Sequence, residues 1–211
     1  MEKIITKDGT FTFHNKKYDE YYHSLTGAKE EAVEKYAKPA IKFLKENGLL
    51  NKNIAVLDFC FGLGYNSLYF VDEVRKLNDN ININIIGIDN DLEIVTIGRN
   101  LTKGLLDKHI YGNDSIRIEV KIGDGEQEVK KLDKFDICFF DPFSPKKCPE
   151  LWEEKIFKEI YTHLKKPGIL LTYSCARKVR ENLKNVGFKV IDGPCVGRNA
   201  PATIAIKEFK V

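Results

Sequence analysis

No stretch of the 211-residue sequence approaches the roughly 18 to 20 consecutive apolar residues needed to cross a bilayer. The opening Met1-Glu2-Lys3-Ile4-Ile5-Thr6 is also too poor in apolar residues for a secretory signal. The sequence therefore predicts a cytoplasmic protein with no membrane association. Cysteine is sparse: there are five, an odd number, without a C-x-x-C pair, and Cys60, Cys138 and Cys175 sit inside apolar runs. Such thiols suit a reducing compartment and offer neither a disulfide framework nor zinc-ligand spacing, so no metal is expected. Internal repeats, low-complexity runs and long linkers are missing too. Net charge is only +3, but it is uneven: from Cys175 onward eight basic residues face three acidic ones. A cluster of this kind is most often a solvated helix face, with a nucleic-acid partner as the other reading.

With 43% hydrophobic residues the chain is long enough for one well-buried α/β domain with some extra structure at an end. Lys7-Asp8-Gly9, flanked by residues 3–6 and 10–13, is an Asp-Gly hairpin signal. From Gly27-Ala28 to Asn47-Gly48 the pattern is helical, and Lys38-Pro39 is expected to divide or kink it. Thereafter strands are expected near 54–58, 83–88, 116–121, 135–140 and 168–173, with helices near 65–78, 90–102, 124–131, 149–164 and 176–186. Pro149, followed by Glu150, Glu153 and Glu154, suits a helix start. Alternation of this kind predicts a parallel sheet covered on both faces. The last two apolar runs, 188–191 and 202–209, leave no room for a helix between them and must pair antiparallel. The expected division is residues 1–50 as a hairpin and helical extension and 51–211 as the main domain, packed as one unit.

The organising stretch is Ala55-Val56-Leu57-Asp58-Phe59-Cys60-Phe61-Gly62-Leu63-Gly64-Tyr65-Asn66. An apolar run reaches an acid, then two glycines one residue apart, then helical spacing at Leu68, Val71, Val74 and Leu77. The glycines let the backbone turn sharply and approach a ligand, although tight strand-to-helix turns need glycine for packing as well. Ligands of open parallel sheets sit beyond the carboxyl ends of the strands. Four of those ends are acidic here: Asp58, Asp89, Asp124 within Gly-Asp-Gly, and Asp141 within Asp141-Pro142-Phe143-Ser144-Pro145. Asp89 suits a ribose diol, Asp124 an adenine amino group and Asp58 an ammonium. Ser67 stands where a dinucleotide fold carries Gly or Ala, which argues against NAD.

The alternating elements and antiparallel last strand resemble the S-adenosylmethionine-dependent methyltransferase fold: a seven-stranded, Rossmann-like class I sheet, here with a small N-terminal β-hairpin and helix added. An acidic rim is compatible with that cationic cofactor. The resemblance becomes closer in Asp8-Gly9-Thr10 with Thr12, Tyr18-Asp19-Glu20-x-Tyr22-His23-Ser24, Gly27-Ala28, Asp58-Phe59-x-Phe61-Gly62-Leu63-Gly64-Tyr65-Asn66, and Asp141 through Lys147 with Pro149-Glu150-Leu151-Trp152. With Thr172-Tyr173-Ser174, Val179-Arg180, Gly187-Phe188 and Gly197-Arg198, these motifs are similar over nearly the whole chain to the methyltransferase domain of the MnmC family.

That resemblance implies methylation of the 5-aminomethyl group on the wobble uridine, or its 2-thio form, of tRNA. It further implies a free-standing version without the FAD-dependent oxidase domain. Asp141 is expected to be catalytic; Asp58, Gly62, Gly64, Asn66, Asp89 and Asp124 to hold S-adenosylmethionine; and Tyr18, Glu20, Tyr22, Phe143, Lys146, Tyr173, Arg180 and Arg198 to meet the tRNA anticodon stem-loop. His23 reads as a structural hydrogen-bonder. The rival class is an aminopropyltransferase of the spermidine synthase kind, which also combines a Gly-Asp-Gly with an Asp-Pro turn and acts on an amine.

Overall fold

The computed structural model describes residues 2–50, 53–110, 115–197 and 199–208. Its centre is the strand Ile54–Phe59 (β4), nearly all of it buried, as a middle strand of a doubly covered sheet must be. Before β4 come β1 (Glu2–Ile5), β2 (Phe11–Asn15), β3 (Glu20–Tyr21), α1 (Ala28–Glu31), a π-helical turn (Ala32–Ala37) and α2 (Lys38–Glu46). After it come α3 (Tyr65–Arg75), β5 (Ile83–Asp89), α4 (Leu92–Ile110), β6 (Ile116–Ile122), α5 (Gly125–Val129) and β7 (Phe135–Phe140). A 3-10 turn (Pro149–Trp152), α6 (Glu154–His163), β8 (Leu164–Thr172), α7 (Arg177–Val186), β9 (Lys189–Asp192) and β10 (Thr203–Lys207) complete the order.

The main sheet runs β6-β5-β4-β7-β8-β10-β9, parallel through β8, with β10 antiparallel to both its neighbours. The chain moves outward in one direction through β5 and β6, then returns to the other side of β4 with β7. The crevice beyond β4 is therefore the topological switch point, where open α/β sheets bind ligands. Successive residues of β4 serve opposite faces. Ile54 and Val56 join a core with Tyr36, Ala40, Leu44 and Phe70, whereas Leu57 and Phe59 join one with Trp152, Phe157 and Leu183. The N-terminal helical stretch thus shares its core with the sheet, and Phe13 of the hairpin packs in a third cluster with Leu63 and Leu68.

Among the elements that differ from the sequence expectation, α4 runs on to Ile110 instead of ending near 102. The expected helix 149–164 is split, because Glu153 is extended (φ −80, ψ 155) and the preceding 3-10 turn buries Trp152, whose Nε1 donates to the Phe143 carbonyl at 2.8 Å. Pro39 does not interrupt the helix; it occupies the first turn of α2, and the backbone upstream is widened into the π-helical turn. The strand expected at 168–173 begins earlier, at Leu164.

The Asp-Gly turn does more than reverse the chain. The Asp8 carboxylate accepts from Thr6 Oγ1 (2.7 Å), Thr10 Oγ1 (2.6 Å) and Thr10 N (3.1 Å), and its second oxygen accepts from Glu30 N (3.0 Å) in α1. A Cβ on Gly27 would lie 2.4 Å from Asp8 Oδ2, so glycine is what admits the carboxylate. Burial opposes the charge, yet these donors outweigh it and lower the Asp8 pKa from 3.8 to about 2. A folded-state pKa below the unfolded one contributes stability above the unfolded value and loses it as pH falls through the folded value. Asp8→Asn is expected to lower the melting temperature at neutral pH and to flatten its fall between pH 4 and pH 2. Thermal melts across that range that superimpose on wild type would contradict this role.

Candidate active site

The loop leaving β4 is shaped by left-handed residues. Cys60 (φ 63), Gly62 (φ 54) and Gly64 (φ 78) all have positive φ, a conformation costing a non-glycine residue about 1–3 kcal/mol. The turn also makes room for Phe61. A Cβ on Gly87 would come within 2.4 Å of the Phe61 ring, and one on Gly64 within 2.6 Å. Asp89 closes the loop from the next strand by accepting from Gly62 N (2.8 Å) and Asp91 N (2.9 Å). Burial raises its pKa, and those amides only partly offset the rise.

Over the ends of β4, β5 and β7 lies a cavity of about 920 Å³, lined by Gly62, Asp89, Asp91, Gly123, Gly125 and Asp141 below. The N-terminal segment, including Tyr18, Glu20, Tyr22 and His23, forms its other wall. Tyr22 OH donates to Asp91 Oδ2 at 2.9 Å and accepts from Asn15 Nδ2 at 2.8 Å. Glu20 accepts from both Ser144 N (2.8 Å) and the Ser144 hydroxyl. Phe143 stacks on Tyr18 with ring centroids 4.7 Å apart and is tilted against Tyr22 at 5.0 Å. Glu20 therefore ties the wall to the turn after β7, and the three rings form an aromatic box.

Asp141 follows β7 immediately, and its N–H donates to Phe59 O at 3.1 Å. Tyr36 OH donates to Oδ1 at 2.6 Å and Asn66 Nδ2 to Oδ2 at 2.9 Å, so both carboxylate oxygens are fixed. The Tyr36 oxygen also accepts from Tyr173 N at 3.2 Å, while Tyr173 OH donates to Pro142 O at 3.0 Å. Burial, and then the charge of Glu31, raises the Asp141 pKa; His23, Tyr36 and Asn66 pull it back only in part. The site thus presents a carboxylate with raised proton affinity beside an aromatic box. Such a pair can hold an amine against a flat ring and accept its proton.

Tyr36 is the residue that sequence reasoning missed. Helical spacing marks it only as core, and nothing local indicates that its hydroxyl meets a residue 105 positions away. Several expected residues have other placements. Asp58 shares the strand face of Ile54 and Val56, is fully buried, accepts from Ser67 Oγ at 2.5 Å and is absent from the cavity lining. Burial raises its pKa to about 8, so its position beneath the loop disfavours the carboxylate form. Asn66 serves Asp141 rather than the cavity wall, and its Oδ1 has no partner among the described residues. Asp124 is exposed and caps α5 through Gln127 N at 3.0 Å, while its neighbours Gly123 and Gly125 line the cavity. Arg180 is held by Thr203 Oγ1 (2.9 Å), Asp192 Oδ1 (2.6 Å) and Ala202 O (3.1 Å), so its guanidinium braces α7 on β9 and β10. Lys146 is exposed on the turn beyond Phe143, and Arg198 lies outside the described residues. His23 is buried, yet neither ring nitrogen has a partner among the described residues, so the expected structural hydrogen bond is not made by the ring.

Residues 100–208 match the family described as S-adenosyl-L-methionine-dependent methyltransferase. The chain is 31% identical to the uncharacterised protein MJ0670 of Methanocaldococcus jannaschii, covering 97% of this chain and 59% of that protein. It is 25% identical to the tRNA 5-methylaminomethyl-2-thiouridine biosynthesis bifunctional protein MnmC of Leptospira interrogans, covering 92% of this chain and 34% of that one. The chain therefore spans less than two thirds of these curated relatives. Among solved structures, MNMC2 from Aquifex aeolicus is similar with a TM-score of 0.83 and 31% identity, covering 97% of this chain and 69% of that one.

Proposed function

Because the chain belongs to the S-adenosyl-L-methionine-dependent methyltransferase family that includes the methyltransferase portion of MnmC, we propose that it methylates the 5-aminomethyl group of the wobble uridine of tRNA, or its 2-thio form. The observation that carries this reading is Asp141, oriented by Tyr36 and Asn66 and opening into the cavity beside Tyr18, Tyr22 and Phe143. The cavity fits the cofactor on its own features. Its volume of about 920 Å³ leaves room for a nucleoside beside it, Gly62 lines it without a side chain, and Asp89 retains lone pairs for ribose hydroxyls.

S-adenosylmethionine, when bound, supplies a methyl group carried on a positively charged sulfur. The remaining task is to present a neutral amine. An alkyl amine with a lysine-like pKa near 10.4 costs about 4–5 kcal/mol to deprotonate at neutral pH. Asp141 accepts hydrogen bonds on both oxygens from its supports, so its carboxylate is held in place for the incoming ammonium. Its raised pKa makes it a better proton acceptor than an exposed carboxylate. Phe143, braced by Tyr18 and tied through Ser144 to Glu20, provides an apolar surface for the uracil plane. Each transfer converts one alkyl ammonium into a methylated ammonium and releases one proton, which Asp141 receives.

For the RNA, exposed lysines on both sides of the cavity are the relevant charges. Lys16 and Lys17 lie along the N-terminal wall and Lys146 and Lys147 on the turn after β7, with Lys147 Nζ 3.4 Å from Asp19 Oδ2. If Lys16 and Lys146 each meet a phosphate, tRNA affinity should fall steeply with salt. Replacing either by Ala should then lower the slope of log affinity against log salt by about one. Filter binding over a salt series checks this; a double variant with wild-type affinity at every salt concentration would leave these lysines as ordinary solvated charges.

A further inference from the structure

One buried ion pair in the cavity acts on Asp141 only through the charge of Glu31 and, among the described residues, makes no hydrogen bond to Asp141 or to the aromatic box. Lys35, 5% exposed, donates from Nζ to Glu31 Oε1 at 2.7 Å, and Glu31 Oε2 accepts from Ser24 N at 3.1 Å. Both side chains line the cavity. Of the three lysines in that lining, Lys16 and Lys17 are exposed and Lys35 is buried. Its one partner among the described residues accounts for a single N–H of three, and an ammonium withdrawn from water needs acceptors for the others. Two opposite charges therefore sit side by side here with hydrogen-bonding capacity to spare. Meanwhile Asp58, the acid expected to meet the cofactor's amino-acid end, is sealed beneath the loop on Ser67.

We propose that Lys35 and Glu31 form the receptor for the zwitterionic amino-acid end of S-adenosylmethionine. The carboxylate lies against Lys35, and the ammonium lies against Glu31. This rests on the reading that the cavity takes S-adenosylmethionine and adds an assignment within it. A positive and a negative head held side by side match a zwitterion whose charges run in the opposite order. Neither member of the pair must then be left bare when water is displaced. Burial disfavours ionised Glu31, but Lys35, together with His23 and the Ser24 amide, outweighs it and leaves the Glu31 pKa below the ordinary carboxylate value. The join of α1 with the π-helical turn places residues 31 and 35 as i,i+4 neighbours facing the cavity, and Tyr36 follows toward Asp141. One helical segment would then hold the cofactor's tail and orient the proton-accepting carboxylate of Asp141.

Calorimetric titration with S-adenosylhomocysteine and 5′-methylthioadenosine separates the contributions, because the two share the adenosine and thioether and differ in the amino-acid end. Wild type is expected to prefer S-adenosylhomocysteine. Lys35→Met should weaken that ligand by about tenfold or more while leaving methylthioadenosine within about twofold, which also reports that the nucleoside pocket is folded. Lys35→Arg should recover part of the loss. A Lys35→Met protein that keeps the wild-type preference, or one that loses both nucleosides equally, overturns the assignment. If Lys35→Met does not fold, Lys35→Gln is read by the same criteria. Wild-type protein that binds neither nucleoside would instead sink the cofactor reading on which the assignment stands.

Discussion

Asp141→Asn is expected to bind S-adenosylhomocysteine within about twofold of wild type and to turn over at least about 100-fold more slowly. The substitution suits the site structurally. Its carbonyl oxygen can still accept from Tyr36, and its new amide can face Asn66, whose Oδ1 has no partner among the described residues and can be turned toward it by an amide flip. What is lost is the negative charge and the ability to take a proton. Raising the pH should therefore rescue the variant in part, because more of the amine then arrives neutral. Single-turnover rates over a pH series measure both effects. An Asn variant that transfers methyl groups at the wild-type rate at neutral pH would reduce Asp141 to a turn residue.

Tyr36→Phe should be the next most damaging change, although Tyr36 is a positioning residue that touches neither reactant. It removes the donor at 2.6 Å from Asp141 Oδ1 and an acceptor of Tyr173 N. A buried hydrogen bond to a charged group is worth about 1.5–3 kcal/mol, so a loss of about 10- to 100-fold in turnover is expected. The pH profile supplies a readout that simple destabilisation would not move. Asp141 must be ionised to accept a proton, and its pKa is already raised by burial. The Tyr36 hydrogen bond is one of the contributions lowering it, so its removal raises the pKa further. The acid limb of the rate profile should consequently shift to higher pH, with cofactor affinity unchanged. A Phe variant with a slower rate but the wild-type acid limb would show that the hydroxyl does not act through Asp141.

The sheet was largely legible because its signals are local. Apolar runs ending in acids marked β4 through β7, and a glycine- and proline-rich loop too short for a helix forced β9 and β10 to be antiparallel. Asp141 was legible for the same reason, since the Asp-Pro-Phe-Ser-Pro turn advertises a stiff strand end. Asp58 could have been placed by counting: it shares the parity of Ile54 and Val56, and that face is covered by helices rather than open to a ligand. The supports were not legible. Tyr36 and Lys35 lie on a helix whose widened turn carries no sequence signature, and Arg180 is captured by Asp192 and Thr203, which reach it only once β9 and β10 have paired. Glu20 was expected to touch substrate, and its partnership with Ser144 crosses 124 residues of sequence.

The central claim is that this cavity methylates an aminomethyl nitrogen on tRNA. It is tested most directly by incubating the purified protein with S-adenosylmethionine and tRNA carrying 5-aminomethyluridine at the wobble position, then digesting the RNA for nucleoside mass spectrometry. The account predicts conversion of that nucleoside to 5-methylaminomethyluridine, with no methyl gained by the same tRNA bearing an unmodified wobble uridine. Methylation of the unmodified tRNA, a methyl group on any other nucleoside, or an unchanged aminomethyluridine in the presence of bound cofactor would contradict it.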